Sequence, residues 1–166
     1  MRWVGAATLN TMSTLKDQLR TDLTASMKAR DELRLATIRM TLTAITGEEV
    51  SGSSVRELSD EDVLRVITKE AKKRRESAEA YDAAGRAELA DRERAEGLVL
   101  AGYLPAALSE DELAAMVTAA IAETGAREPR QMGLVMKALQ PRTAGRADGK
   151  AVSEEVRRQL TGSATG

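Results

Sequence analysis

The chain has 166 residues, 42% of them apolar and 31% charged, with a formal net charge of −1, a composition that can bury a modest core in one large or two small modules. It contains no Cys and no His, which excludes disulfides, thiolate metal sites and cysteine nucleophiles and removes the commonest general base and metal ligand. No apolar run reaches the roughly 20 residues of a membrane span.

The apolar residues are mostly Ala, Leu, Val, Ile and Met, with no Phe, two Tyr and one Trp. Such a mix favours helices over strands. Residues 1–12 read as an appendage without a signal-peptide core, so the expected location is cytoplasmic. Leu15, Leu19, Leu23 and Met27 then step by four and predict a helix over 13–29. Leu35, Ile38, Leu42 and Ile45 predict a second over 31–49, with Leu33, Ala36 and Met40 widening the stripe. Residues 50–56 form a polar loop.

Ser59, with Leu58 before it and Asp62 at the box position, opens a third helix that runs to Ala84 and stops at Gly85. A fourth over 86–104 ends at Pro105. Ser109 and Glu112 form a full capping box for a fifth, with a staple between Leu108 and Leu113, and Gly125 ends it. A sixth opens at Pro129, carries Met132, Val135, Met136 and Leu139, and ends at Pro141. Asp148 caps a seventh with Val152, Val156 and Leu160 on its apolar face; 161–166 read as frayed. The expected fold is all-α in two modules: a tail 1–12, an N-terminal domain of about four helices over 13–104, and a C-terminal three-helix bundle over 105–162.

Three charge patterns could carry function. Arg65, Lys69, Lys72 and Lys73 form a basic stripe on the third helix, a phosphate-tracking surface diluted by Glu76 and Glu79 on the same face. Arg74 falls within the apolar stripe of that helix, and Glu93 and Glu96 fall on the inward face of the fourth. A buried arginine needs a partner, so a structural ion pair is expected between Arg74 and one of these glutamates. Residues 127–150 hold six bases against Glu128 and Asp148, whereas 105–126 hold four acids and no base. Within the basic segment, Lys137, Arg142, Arg146, Gly149 and Lys150 are the candidate anion contacts, since glycines and bases meet at a helix start. They are expected to line one exposed face and to outweigh the third-helix stripe. No catalytic residue, cofactor or metal ligand is expected.

These residues also carry a resemblance. The run from Lys73 to Tyr81 (KRRESAEAY), then 84–89 (AGRAEL), Glu93, Glu96 and 103–105 (YLP), resembles the N-terminal region of the stand-alone, YqeY-like members of the GatB/YqeY family. The segments 133–137 (GLVMK) and 145–150 (GRADGK), with Val152, resemble its C-terminal region. The match covers about 13–160. The second half is similar to the tail of the GatB subunit of tRNA-dependent amidotransferase, a tail that contacts tRNA and is not the catalytic centre. The resemblance implies a tRNA-binding or tRNA-associated accessory protein of protein biosynthesis. It also brings the family label of carbon–nitrogen ligase with glutamine as amido-N-donor, whose nucleophile and phosphate loop have no counterpart in this sequence. The partner expected on this reading is tRNA; the alternative is a helical adaptor for a protein of the translation machinery. Neither membrane nor metal is expected.

Overall fold

The computed structural model describes residues 14–163, and the expected tail at 1–12, with Ser13, lies outside them. Seven α-helices occur among the described residues: α1 Thr14–Ala29, α2 Glu32–Val50, α3 Asp60–Ala83, α4 Ala87–Ala101, α5 Glu110–Thr124, α6 Met132–Thr143 and α7 Gly149–Ser163. No strand occurs among them, and none of these helices is long and apolar enough to cross a membrane.

They pack around two separate cores. Leu19, Ile38, Ile45, Val63, Ile67, Leu100 and Tyr103 join α1–α4. Leu113, Val117, Val135, Leu139, Val152, Val156 and Leu160 join α5–α7. Each is assembled from the three- and four-residue steps of its helices, which bring side chains to one side. The chain crosses from one core to the other between Gly102 and Ser109.

Helix ends follow local chemistry. Ser59 Oγ accepts from the Asp62 amide at 3.2 Å, and the Asp62 carboxylate accepts from the Ser59 amide, so two of the first-turn donors are satisfied reciprocally. At α5 only half of the expected box forms. Ser109 Oγ accepts from the Glu112 amide at 3.1 Å, while the Glu112 carboxylate turns toward Arg146, 4.0 Å away. Gly85 and Gly125 adopt φ of +71° and +70° just past α3 and α5, as left-handed terminators. The α1–α2 turn uses Arg30 instead, at φ +56°. Its amide donates to Met27 O and that of Asp31 to Ser26 O, the bonding of a Schellman end without glycine.

Other expectations change: Met27, expected on the apolar face of α1, is exposed, and α4 ends at Ala101, short of the expected 104. Met40 is exposed; Thr37 and Thr41 are buried in its place, because their hydroxyls donate to Leu33 O and Thr37 O at 2.8 Å and carry no unsatisfied group inside. Pro141 lies within α6. Its ring costs only the hydrogen bond to Lys137 O near the helix end, and the Ala144 amide still donates to Gln140 O. The α-helical part of the sixth helix begins at Met132, after a 3₁₀ turn over Pro129–Gln131. The seventh helix continues through Ser163.

Candidate functional site

Arg65, Lys69, Lys72 and Glu76 recur at steps of four, three and four, and therefore share one side of α3. That side faces the α6–α7 corner across a cleft of about 600 Å³. Arg65, Lys69 and Lys72 line one wall; Met136, Asp148 and Val152 are among the residues opposite.

Three contacts set the pose of the walls. Gly145 has φ +73°, and a Cβ there would come within 3.1 Å of both Leu64 Cδ2 and Pro105 Cδ, so the backbone approaches as only glycine permits. The next residue, Arg146, accepts from the Leu108 amide at 2.8 Å through its carbonyl and donates from Nε to Ala106 O at 3.0 Å. Lys72 Nζ donates to Asp148 Oδ2 at 2.9 Å. The other Asp148 oxygen accepts from the Lys150 amide at 3.4 Å, at the start of α7. One carboxylate thus caps a helix and ties it to α3. The hydrogen bond from Lys72 is the main cause holding the Asp148 carboxyl below its ordinary range, and the same bond holds the Lys72 ammonium above its own.

The remaining charges differ in how far they are spent. Lys69 is exposed and has no ion pair among the described residues. Lys73 Nζ lies 3.0 Å from Glu70, and Arg65 is paired with Asp62 and, at 3.7 Å, with Glu61. Glu76 lines the cleft, whereas Glu79 lines a second groove between α3 and α4, so only one of the two acids expected on the stripe borders it.

Of the C-terminal candidates, Gly149 alone lines the cleft. Lys137 is exposed and has no ion pair among the described residues. Arg142 grips Glu123 with both terminal nitrogens, at 3.2 and 2.8 Å. Arg146 is held at the inter-module crossing, and Lys150 Nζ lies 3.8 Å from Glu154. The acidic α5 therefore offsets part of the basic segment that follows it, through Glu123 and Glu112.

Arg74 is 6% exposed. Its Nη1 donates to Glu70 Oε2 at 2.8 Å and its Nε lies 3.5 Å from Glu96 Oε2. The Nε contact counts as an ion pair but lacks hydrogen-bond geometry, leaving that buried nitrogen without a hydrogen-bond acceptor. The attraction there is electrostatic, across 3.5 Å between opposite charges. Glu93 lies in the outer groove with Arg94 and Leu98. Glu70, absent from the sequence expectation, was signalled by its i−4 spacing. Lys73 and Arg92 approach the same two glutamates from outside, so the cluster ties α3 to α4.

A second buried pair, Lys16 to both oxygens of Glu49 at 2.7 and 2.8 Å, fastens α1 to α2. Among the described residues, no group of three or more Asp or Glu side chains is arranged to hold a metal ion.

Comparison with known proteins adds two findings. Residues 16–160 match the family model described as Yqey-like protein. An uncharacterized protein of Schizosaccharomyces pombe is 33% identical over 99 residues, which cover 60% of this chain and 79% of the relative.

Proposed function

The chain belongs to the Yqey-like family, and we propose that it is a non-catalytic, tRNA-associated accessory protein of the cytoplasm. The observation that carries this reading is one basic feature at a cleft: the α3 stripe, with Lys69 exposed and in no ion pair among the described residues, faces the start of α7 at Gly149. Rigid helices holding cations at fixed spacing suit recognition of RNA by shape and phosphate. A chain without Cys or His lacks the usual nucleophile and base for glutamine hydrolysis, so the ligase label of the wider family is not carried over.

The test is an electrophoretic shift with bulk tRNA across a salt series. Binding is expected to weaken with a log–log slope of about 0.7–0.9 for each phosphate contact, the lower figure for unpaired strand and the higher for duplex-like nucleic acid. Purified protein given glutamine and mischarged tRNA is expected to form no amidated product. Absence of any shift at low salt would sink the reading.

One observation favours an adaptor instead. Leu98 is 75% exposed and borders the groove of about 710 Å³ between α3 and α4, the kind of apolar feature that protein partners cover. Capture of one protein of the translation machinery, unaffected by salt and lost with Leu98→Asp, would support it.

A further inference from the structure

We propose that the cleft between the modules takes one unpaired nucleotide of a bound RNA, its base against Met136 and Ala147 and its phosphate on Lys69 and Lys72. The inference rests on the RNA-binding reading and specifies what part of the RNA enters.

The cleft is two-sided in chemistry. Its α3 wall carries Arg65, Lys69, Lys72 and Lys73 against one acid, Glu76, and its α6–α7 wall offers the half-buried Met136 and Ala147 beside Asp148, which Lys72 already engages. A duplex presents phosphates outward and keeps its bases stacked, so it meets the cationic wall and leaves a hollow of about 600 Å³ unfilled. An unpaired nucleotide presents an apolar base face and an anionic phosphate together, which matches both walls. The Met136 thioether is polarizable and adapts to an aromatic ring.

Lys69 and Lys72 are one helical step apart and converge on one anion. Lys69 has no ion pair among the described residues. Lys72 carries three N–H donors, one of them directed at Asp148, which holds the ammonium at the cleft edge with donors to spare. From Arg65 to Lys72 the basic wall extends about 10 Å along the helix axis, longer than one phosphate requires. That length points to a nucleotide within a chain rather than a free one. No aromatic side chain lines the cleft, so the phosphates supply most of the affinity and the base supplies selectivity.

The experiment uses the full chain with ¹³C-methyl methionine, the Met136 resonance assigned with Met136→Leu. The probes are an RNA hairpin with a single-stranded loop, the same hairpin with abasic loop residues, and adenosine monophosphate. The intact hairpin is expected to shift the Met136 methyl; the abasic one should bind about ten-fold more weakly and leave it in place. Lys69→Ala is expected to weaken binding of both hairpins. Equal affinity for the two hairpins with an unmoved methyl would overturn the nucleotide pocket and leave RNA binding standing. No hairpin binding at low salt would overturn both readings. A Met136 shift from the mononucleotide at affinity equal to or tighter than the hairpin's would replace the RNA-borne nucleotide with a free one.

Discussion

Lys72 and Asp148, 76 positions apart, join α3 to the first turn of α7 through a 2.9 Å hydrogen-bonded ion pair. The cores on either side of it are separate, so this polar contact and the Gly145–Leu64 approach carry much of the inter-module geometry. The pH window follows from the two shifts. Asp148 is lowered from 3.8, so its contribution is present above that value and lost as pH falls through its lower folded pKa. Lys72 is raised from 10.5, so its contribution is present below that value and lost as pH rises through its higher folded pKa. Fluorophores on α3 and α7 are expected to report a constant separation between these limits and a looser joint beyond each. Asp148→Asn should give the looser joint at neutral pH; an unchanged separation would show that apolar contacts alone hold the pose.

Arg74→Ala is expected to cost about 3–5 kcal/mol, because it leaves Glu70 and Glu96 buried without their shared cation. The two carboxylates are 7% and 9% exposed, and the outer Lys73 and Arg92 reach one each. Urea unfolding measures the loss, with exposed Arg157→Ala as control. Adding Glu70→Gln to Arg74→Ala should recover part of it. A midpoint no lower than that of the control would contradict a buried charge cluster.

These two pairs also mark how much was legible in the sequence. Arg74 stood out because a charge interrupted a helical apolar stripe, and Glu96 because it shared the inward face of α4; both signals depend on local periodicity. Ser59, Gly85 and Gly125 were legible for the same reason, since a cap acts within one turn. Lys72–Asp148 was not, because each residue had an ordinary local role, surface cation and helix cap, until the fold brought them together. The charge contrast between 105–126 and 127–150 was visible as a sum. Its partial cancellation through Arg142–Glu123 depends on α5 lying beside α6. Hydropathy ranked Met40 above Thr37 and Thr41 and so misplaced one edge of α2. A threonine on a helix can hide its hydroxyl against a carbonyl one turn back, and periodicity does not register that.

Arg30→Gly is expected to stabilise the protein by about 1 kcal/mol. Arg30 is exposed at φ +56°, a conformation that costs an L side chain roughly 1–2 kcal/mol and glycine much less, partly offset by glycine's greater freedom when unfolded. Thermal unfolding should show a higher midpoint. A lower midpoint would mean that the Arg30 side chain contributes more than its backbone strain costs.

The last prediction separates the two basic features on tRNA. Lys69→Ala removes an exposed cation with no ion pair among the described residues, so it should lower the salt slope by about 0.7, the value for a contact to an unpaired strand, and leave thermal stability unchanged. Adding Lys72→Ala should lower the slope again and also loosen the joint, because Asp148 loses its donor. Arg142→Ala should leave the slope nearly unaltered, since Glu123 already engages both terminal nitrogens. Arg146→Ala with Lys150→Ala is a mixed case. Lys150 is extended along α7 toward Glu154 and can rotate toward phosphate, whereas losing Arg146 also releases Ala106 O and should lower the thermal midpoint. A reduced slope without reduced stability is therefore the signature of a direct phosphate contact, and Lys69 is where it is expected first. If Lys69→Ala is silent while Arg142→Ala flattens the salt dependence, the RNA lies along α5–α6 and the cleft is not the contact surface.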